Sequence, residues 1–198
     1  MEPIVLILGC QKYKANLLAA IERMKVPSYR VIGLVGTTEP TSFDGTILSL
    51  QVEDSYEYLP RKVHAAFCWV HENFPETVGI FKTDDDIFFK NPNDLAVAMQ
   101  THVKIPFWGT IVARCCEKKV DLCRVERACD NKALRPKHHA AHYCYGHGYW
   151  VSKEAIPTVC ASTEHRDAFL EDVTMGYVLN KKGWYPKHVP IQYEERAR

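Results

Sequence analysis

The sequence lacks a surplus of charge of either sign and any long apolar run. Its 198 residues include 25 basic and 24 acidic side chains, which gives a formal net charge of +1. A broad surface for nucleic acid or for an anionic membrane needs a clear positive excess, so the composition argues against both partners. The first apolar run, at 4–8, is too short for a signal peptide or a membrane span. We therefore expect a chain that is soluble as given and has no membrane span.

Internal repeats, low-complexity tracts and linkers rich in proline, glycine or serine are also missing from the sequence. A chain of 198 residues with 46% hydrophobic side chains suits one ordinary globular domain. Such a domain buries roughly 70% of the surface that its unfolded chain exposes, so it folds without disulfides or metals. We therefore expect a single domain over residues 1–198.

Cysteine is plentiful, but its spacing includes none of the Cys-x-x-Cys pairs that are typical of structural zinc sites. The eight cysteines lie at positions 10, 68, 115, 116, 123, 129, 144 and 160. Without an export signal we expect free thiols in a reducing compartment, with Cys10 and Cys68 packed as small apolar side chains. Two alternatives stay open. One is disulfides in a secreted protein, and the other is a zinc site formed by Cys115, Cys116, Cys123, Cys129, His138, His139 and His142.

Apolar periodicity predicts strands and helices that alternate along the first half of the chain. Short apolar or alternating runs predict strands at 3–8, 29–35, 46–52, 78–82, 107–113 and 145–152. Helical spacing predicts helices at 16–24, 59–74, 93–99, 153–160 and 171–179, with Pro60 in a first turn and Asn93 as a cap. The alternation predicts a parallel α/β sheet with helices on both faces, and ligands bind such sheets beyond the carboxyl ends of the strands.

Three segments show no helical pattern. The segment 37–45 is loop-like, and 184–193 is predicted to be extended. The polar, cysteine-rich segment 114–142 is predicted to be a long excursion from the sheet that shapes the acceptor side of a site.

Three consecutive aspartates, Asp84, Asp85 and Asp86, follow the predicted strand 78–82 almost at once and precede the apolar segment 87–89. Adjacent carboxylates repel one another, and it is costly to leave them ionised between apolar segments unless a cation compensates. Oxygen ligands of this kind suit Mg²⁺ or Mn²⁺, which also bind diphosphates. The position after a strand favours a metal site over a solvated acidic turn, which is the ordinary explanation of such a run.

Four segments resemble, in order along the chain, the motifs of one group of glycosyltransferases. The three aspartates look like the Asp-x-Asp motif of glycosyltransferases with the GT-A fold. The β-1,3-galactosyltransferase and Fringe-like family has an Asp-x-Tyr-x-Asn-Leu-Thr-x-Lys stretch similar to 54–62 (DSYEYLPRK). Its Gly-Gly-Gly-Tyr-x-x-Ser segment is similar to 146–152 (GHGYWVS), and its Glu-Asp-Val-x-x-Gly motif is similar to 171–176 (EDVTMG). The chain departs from the pattern at Tyr58, Pro60 and His147.

The resemblance implies one α/β domain of the GT-A type, Rossmann-like, with a central, mostly parallel sheet flanked by helices. It assigns Asp84, Asp86 and His188 to a metal, Mn²⁺ or Mg²⁺. It assigns Gly9, Cys10, Lys62, Asp84, Asp85, Gly146 and Gly148 to a UDP-sugar donor. Simpler explanations exist for three of these assignments: a surface histidine for His188, a solvated helix face for Lys62 and an ordinary turn for 9–10.

Glu171 and Asp172 begin a predicted helix, where carboxylates also stabilise the helix dipole by about 0.3–1 kcal/mol. The resemblance implies that Asp172 is the general base, with Glu171 in reserve. The reaction is then an inverting single displacement, in which a hydroxyl of a glycan or glycoprotein acceptor replaces the nucleotide diphosphate. A retaining route would leave Asp172 to position the substrate. Trp108 and Trp150 either offer flat faces to a sugar ring or belong to the core.

Two other functions stay open. One is another divalent-metal enzyme acting on nucleotides, such as a nucleotidyltransferase or phosphatase. The chain lacks the Asp-x-Asp-x-Thr strand end and the Gly-x-x-x-x-Gly-Lys-Ser/Thr loop that are typical of the commonest of these. The other is a non-catalytic module that binds nucleotide sugars. Because the membrane anchor of Golgi members is missing, we expect a cytoplasmic enzyme of a virus or microbe rather than an excised Golgi-lumenal domain.

Overall fold

The computed structural model describes residues 2–111 and 142–195. The strands in these ranges are β1 (Ile4–Leu8), β2 (Arg30–Thr37), β3 (Ser42–Phe43), β4 (Ile47–Gln51), β5 (Gly79–Asp84), β6 (Ile87–Phe89), β7 (Phe107–Ile111), β8 (Cys144–Ser152), β9 (Lys187–His188) and β10 (Tyr193–Glu195). The α-helices are α1 (Lys14–Met24), α2 (Leu59–Asn73), α3 (Pro92–Thr101), α4 (Ile156–Cys160) and α5 (Glu171–Asn180). None of these helices is long and apolar enough to cross a membrane.

Eight of the described strands form one sheet in the order β3-β4-β2-β1-β5-β8-β7-β9. Strand β1 is parallel to both of its neighbours, β2 and β5, and the pairs β2–β4 and β7–β9 are also parallel. Only β3 and β8 run against their neighbours in this sheet. The structure therefore confirms the predicted α/β fold with a mostly parallel central sheet. A separate antiparallel pair joins β6 to β10.

Helices cover both faces of the sheet, and each face has its own apolar cluster. Helices α2, α4 and α5 pack on the face that carries Leu6 and Ile80. Helices α1 and α3 pack on the opposite face, which carries Val5 and Phe81. Because successive residues of a strand alternate between faces, Lys82 and Asp84 share the face of Ile80. Both side chains therefore lie on the side of α5.

The structure confirms the predicted strands and helices within the described ranges, although their ends shift by a few residues. The predicted cap of α3 is wrong. The helix begins at Pro92, and its cap is Asn91, whose side chain accepts a hydrogen bond from the backbone N–H of Asn93 at 3.1 Å. Proline at the first helical position loses no hydrogen bond, which moves the start of the helix back by two residues.

Two further segments differ from expectation. The loop-like segment 37–45 contains the short strand β3, and the pairing of β6 with β10 was not predicted. Strands of two or three residues leave little local pattern, and the partner of β6 is also distant along the chain. The predicted excursion at 114–142 lies outside the described residues except for His142, and with it lie the four cysteines, His138 and His139 of the zinc alternative.

Candidate active site

The three aspartates lie at the carboxyl edge of the sheet. Asp84 is the last residue of β5 and is level with Leu8, the last residue of β1. Asp85 and Asp86 form the turn into β6, and the N–H of Asp85 donates to the carbonyl of Leu8 at 3.0 Å. The side chain of Asp85 is buried, whereas Asp84 and Asp86 are half-buried. Of the three, Asp84 and Asp86 are thus the aspartates that solvent or a ligand can reach.

Lys82 is a buried lysine, 2% exposed, whose ammonium group joins three parts of the site. Its Nζ lies 2.8 Å from Asp84 Oδ1 and 3.1 Å from Glu171 Oε2, and it donates to the carbonyl of Gly146 at 2.5 Å. Burial opposes the charge of Lys82, but the carboxylates of Asp84 and Glu171 outweigh burial and raise its pKa above the ordinary value. The ammonium group of Lys82 therefore stays charged beside Asp84.

Glu171 is the first residue of α5 and is enclosed by the protein. It accepts hydrogen bonds from the ammonium group of Lys82 and from the hydroxyl group of Tyr149. Burial raises the pKa of Glu171 to about 7; the charge of Lys82 opposes this shift and that of Asp172 adds to it. Because both carboxylate oxygens have partners inside the protein, Glu171 is poorly placed to meet an acceptor.

Asp172 follows Glu171 but is half-buried rather than enclosed. Its Oδ2 accepts from the N–H of Gly146 at 3.1 Å, and its Oδ1 accepts from the N–H of Val173 at 2.8 Å. Burial raises its pKa, although both N–H groups and Lys82 oppose the shift. Two fixed hydrogen bonds and a raised pKa suit a carboxylate that accepts a proton. Of the two candidate bases, Asp172 is therefore the more accessible one, and its role as the base remains a prediction.

The two predicted donor-site glycines of β8 have different surroundings. The backbone of Gly146 bridges Lys82 and Asp172, since its carbonyl accepts from the first and its N–H donates to the second. A Cβ added at Gly148 would lie 3.0 Å from the ring of Phe81, so packing in the core accounts for this glycine. Contact of either residue with a donor remains a prediction.

Lys62 on α2 is a second buried lysine, 1% exposed, so the solvated helix face considered for it is wrong. Its Nζ donates to the carbonyl of Gly9 at 3.0 Å and to Asp54 Oδ1 at 2.6 Å. Asp54 also accepts from the N–H groups of Gly36 and Gln11. Burial acts to raise the pKa of Asp54, but the hydrogen bonds from Lys62 and Gln11 outweigh it and hold the pKa below the ordinary value.

These contacts tie α2 to the carboxyl ends of β1 and β2. The predicted donor residues Gly9 and Cys10 directly follow β1, and both belong to the edge at which Asp84 ends β5. Lys62 lies beneath Gly9 and meets its carbonyl group. The contacts of Lys62 inside the protein position this edge, and its contact with donor phosphates remains a prediction.

The structure does not bring His188 together with the aspartates. His188 is exposed in β9 and is level with Gly109 of β7, Tyr149 of β8 and Lys82 of β5. Three strand spacings separate β9 from β5, which puts their backbones roughly 14 Å apart. Across 2–111 and 142–195, no three side chains of His, Cys, Asp or Glu are arranged to hold a metal. His188 as a ligand thus remains a prediction without support from the geometry.

Aromatic residues at the site differ from those expected. Trp108 and Trp150 are fully buried and stack on each other with ring centroids 5.8 Å apart, so they belong to the core and the sugar-stacking alternative is wrong. Near Asp84, the ring of His147 lies 5.1 Å from that of Tyr145 and 4.1 Å from that of Tyr193. Burial lowers the pKa of His147 to about 4, so the ring is neutral at pH 7.

Sequence reasoning gave no role to Lys82 or Tyr149, which are central to the site. One signal was present: Lys82 directly follows the apolar residues Ile80 and Phe81 inside β5. Lysine is rarely buried without a partner, so this position indicates a buried carboxylate nearby. The identity of that carboxylate, Glu171, follows only from the fold.

Comparison with known proteins finds one family whose model covers most of the residues described above. A family model described as galactosyltransferase matches residues 37–190. UDP-GalNAc:beta-1,3-N-acetylgalactosaminyltransferase 1 of Mus musculus is 28% identical over 151 residues, which cover 69% of this chain and 41% of the relative. The protein of the same name from Sus scrofa is 26% identical over 151 residues, with the same shares of each chain.

A relative with a different printed substrate gives a similar match. Lactosylceramide 1,3-N-acetyl-beta-D-glucosaminyltransferase of Xenopus tropicalis is 26% identical over 155 residues, which cover 76% of this chain and 41% of that protein. The chain thus spans about two fifths of the length of the curated relatives that it matches. The family match, 37–190, includes the aspartates, Lys82 and the pair Glu171–Asp172. This chain therefore belongs to the galactosyltransferase family.

Proposed function

We propose that the chain is a metal-dependent glycosyltransferase domain that moves a sugar from a UDP-sugar to a hydroxyl group of a glycan or glycoprotein. The main support for the proposal comes from the ion pairs of Lys82. One ammonium group meets Asp84 of the aspartate cluster and Glu171, the neighbour of Asp172. The carboxylates suited to hold a divalent metal ion with its diphosphate and the carboxylate suited to accept a proton thus belong to one connected site. All three reported relatives are named as transferases and two of the names include UDP-GalNAc, which supports this choice of reaction and donor.

The metal part of the proposal depends on the chemistry of Asp84 and Asp86. Both carboxylates are partly exposed at a strand end, and both offer hard oxygen ligands. Mg²⁺ is usually held by one or two carboxylates together with substrate phosphates, so this pair fits Mg²⁺ or Mn²⁺ without a third protein ligand. When bound, such an ion offsets the negative charge that grows on the leaving diphosphate. Lys82 fixes the orientation of Asp84 through its ion pair.

The proton-accepting part of the proposal depends on Asp172. The N–H groups of Gly146 and Val173 hold its carboxylate in one orientation, and burial makes it a better base. An acceptor hydroxyl beside Asp172 would lose its proton to this carboxylate as it attacks the anomeric carbon, and UDP would leave on the opposite side. This single displacement inverts the anomeric configuration. Glu171 serves as a positioning residue, because Lys82 and Tyr149 occupy its oxygens.

Release of UDP from a panel of UDP-sugars tests the proposal. The 198-residue chain is assayed with Mn²⁺ and with a chelator, beside Asp86→Ala and a control, Asp94→Ala. Asp94 is an exposed aspartate on α3, which packs on the other face of the sheet. We expect one donor to release UDP only with Mn²⁺. Asp86→Ala should lower the rate by at least about 100-fold, as expected for loss of charge stabilisation at a leaving group, and Asp94→Ala should leave it within about twofold.

Other products would overturn the proposal. Release of pyrophosphate or inorganic phosphate from nucleotides would assign the aspartates to a nucleotidyltransferase or a phosphatase. Binding of UDP with Mn²⁺ but without turnover of any donor would indicate a non-catalytic module. If the chain neither releases UDP from any donor nor binds a nucleotide sugar with Mn²⁺, the aspartate cluster has a different role.

A further inference from the structure

A second cluster of reactive side chains lies between α2 and α4, on elements that carry none of the three aspartates. We call it the dithiol site and define it as Cys68, Cys160, His64 and His165. The Sγ of Cys68 lies 3.7 Å from Nε2 of His64, one turn away on α2. Nε2 of His64 also lies 3.3 Å from the carbonyl oxygen of Cys160, and its ring stacks on His165 at 4.7 Å.

From this arrangement we propose that Cys68 and Cys160 are an oxidisable dithiol, a covalent modification site at which a low-molecular-weight disulfide such as oxidised glutathione is the reactant. Three features of the arrangement support the proposal. The ring of His64 meets both the sulfur of Cys68 and the backbone of Cys160, the thiol of Cys160 is close enough to act on the titration of Cys68, and both cysteines are half-buried rather than enclosed. A small disulfide can therefore reach the pair, and the second thiol lies nearby to complete the reaction.

The pKa values of the two thiols shift in opposite directions, and this difference indicates which thiol attacks first in the exchange. The neighbouring Cys160 thiol lowers the pKa of Cys68 below the ordinary value of a thiol; burial opposes the shift, His64 adds to it and Glu72 opposes it. The Cys68 thiol, together with burial, raises the pKa of Cys160. The thiolate is the nucleophile in thiol–disulfide exchange, so Cys68 attacks first and Cys160 resolves.

The exchange balances in two steps. The Cys68 thiolate attacks one sulfur atom of the disulfide RSSR, which forms the mixed disulfide Cys68–S–SR and releases RS⁻. Cys160 then loses its proton to solvent, and its sulfur attacks that of Cys68, which expels the second RS⁻. The chain gains one disulfide and loses two thiol protons, and RSSR is reduced to two molecules of RSH.

Peptide mapping of the intact chain gives a direct test. Trypsin cleaves after Lys62, Lys82, Lys153 and Arg166, so Cys68 and Cys160 fall in peptides 63–82 and 154–166. Each of these peptides contains a single cysteine. After incubation with oxidised glutathione and blocking of free thiols, we expect the linked pair 63–82/154–166 as a major disulfide product, which reduced glutathione reverses. The Cys160→Ser variant should stop at the glutathione adduct of Cys68.

The rate of alkylation by iodoacetamide gives a second test that needs no oxidant. Between pH 6 and pH 8 the rate at Cys68 should rise much less steeply than that of an ordinary thiol, which rises about tenfold per pH unit below its pKa. The groups that act on this titration are His64 and Glu72 of α2, Cys160 of α4 and His165, which stacks on His64. Peptide 138–153, which contains only the buried Cys144, is the slow reference in the same digest.

Two results would overturn the proposal. One is the absence of the linked peptides while other cysteines of the folded chain form disulfides under the same conditions. The other is an alkylation rate at Cys68 that rises with pH as that of an ordinary thiol does. In either case the two cysteines pack only as small side chains between the helices.

Discussion

The two buried lysines, Lys62 and Lys82, make the same kinds of contact, but only the carboxylate partners of Lys82 lie at the proposed active site. Lys62 and Lys82 each donate to a glycine carbonyl and pair with carboxylates on the same face of the sheet. The partner of Lys62, Asp54, completes its hydrogen bonds with backbone N–H groups. The partners of Lys82 instead include Asp84, which is partly exposed at the proposed metal site, and Glu171, which adjoins the proposed base.

This difference separates a structural ion pair from a functional one. The pair Lys62–Asp54 ties the ends of β1 and β2 to α2, so its loss should act on stability. The Lys82 network holds carboxylates that remain close together only because one ammonium group offsets their charge. Its loss should act on stability and catalysis together. A buried lysine is therefore informative about function when its carboxylate partners themselves reach a site.

The largest effect is expected for Asp172→Asn, which tests the catalytic side of the comparison. Asparagine keeps the shape and the hydrogen-bond acceptor toward Gly146 but does not take up a proton. Loss of a general base lowers a rate by about 10²–10⁴-fold, so kcat should fall by that factor while KM for the donor stays within about threefold. Steady-state kinetics measure both constants. A loss of less than about fivefold in kcat would remove Asp172 as the base.

Lys82→Met is expected to have the next largest effect. It leaves the carboxylates of Asp84 and Glu171 in place without their counter-charge, and removal of one partner from a buried ion pair costs about 3–5 kcal/mol. Urea denaturation at pH 7.5 measures this loss of unfolding free energy. Part of it should be recovered at pH 5, where Glu171 is protonated. A variant as stable as the wild type would show that the network contributes nothing.

Lys62→Met tests the structural side of the comparison and should cost less. Asp54 keeps its hydrogen bonds from the backbone of Gly36 and Gln11, so the expected loss is that of charged hydrogen bonds, about 1.5–3 kcal/mol of unfolding free energy. The folded variant should keep kcat within about threefold at saturating donor. A rise of tenfold or more in KM for the donor would instead support the phosphate-binding role predicted for Lys62.

The smallest effect concerns pH. Glu171 has a folded-state pKa of about 7, above the value of 4.5 for an unperturbed carboxyl group, so the folded protein holds a proton that the unfolded chain releases between these values. Its contribution to stability is fully present below about pH 4.5 and is lost as the pH rises through 7. From pH 5 to pH 8, the Tm of the wild type should fall by several degrees relative to Glu171→Gln. Parallel Tm curves would contradict this account of Glu171.

Much of the fold could be predicted because local patterns report burial. The apolar run of β1, the alternation in β4 and the helical spacing in α2 each point to one secondary structure, and the structure agrees. The aspartates could be placed at the sheet edge because they follow a strand of a parallel sheet. The antiparallel pairing of β6 with β10 could not be predicted, because Ile87 and Glu195 meet only after the chain has returned from the far edge of the sheet.

The site was predictable in its parts but not in its connections. Motif resemblance led to Asp84, Asp86 and Asp172, but Lys82 and Glu171 are separated by 89 positions, and no local pattern joins them. Burial of a particular tryptophan is also decided by tertiary packing, which is why Trp108 was considered for sugar stacking although it lies in the core. His188 shows the opposite problem. A motif position suggested a ligand, but the strand order puts the residue three strands from β5.

The most direct test of the account is calorimetric titration of UDP with Mn²⁺ into the wild type, Asp172→Asn and Asp86→Ala, with turnover of the preferred donor measured on the same preparations. We expect Asp172→Asn to bind UDP like the wild type but to lose turnover. We expect Asp86→Ala to lose both Mn²⁺-dependent binding and turnover. Unchanged metal-dependent binding in Asp86→Ala, or full turnover in Asp172→Asn, would contradict the proposed division between a donor-binding side and a proton-accepting side.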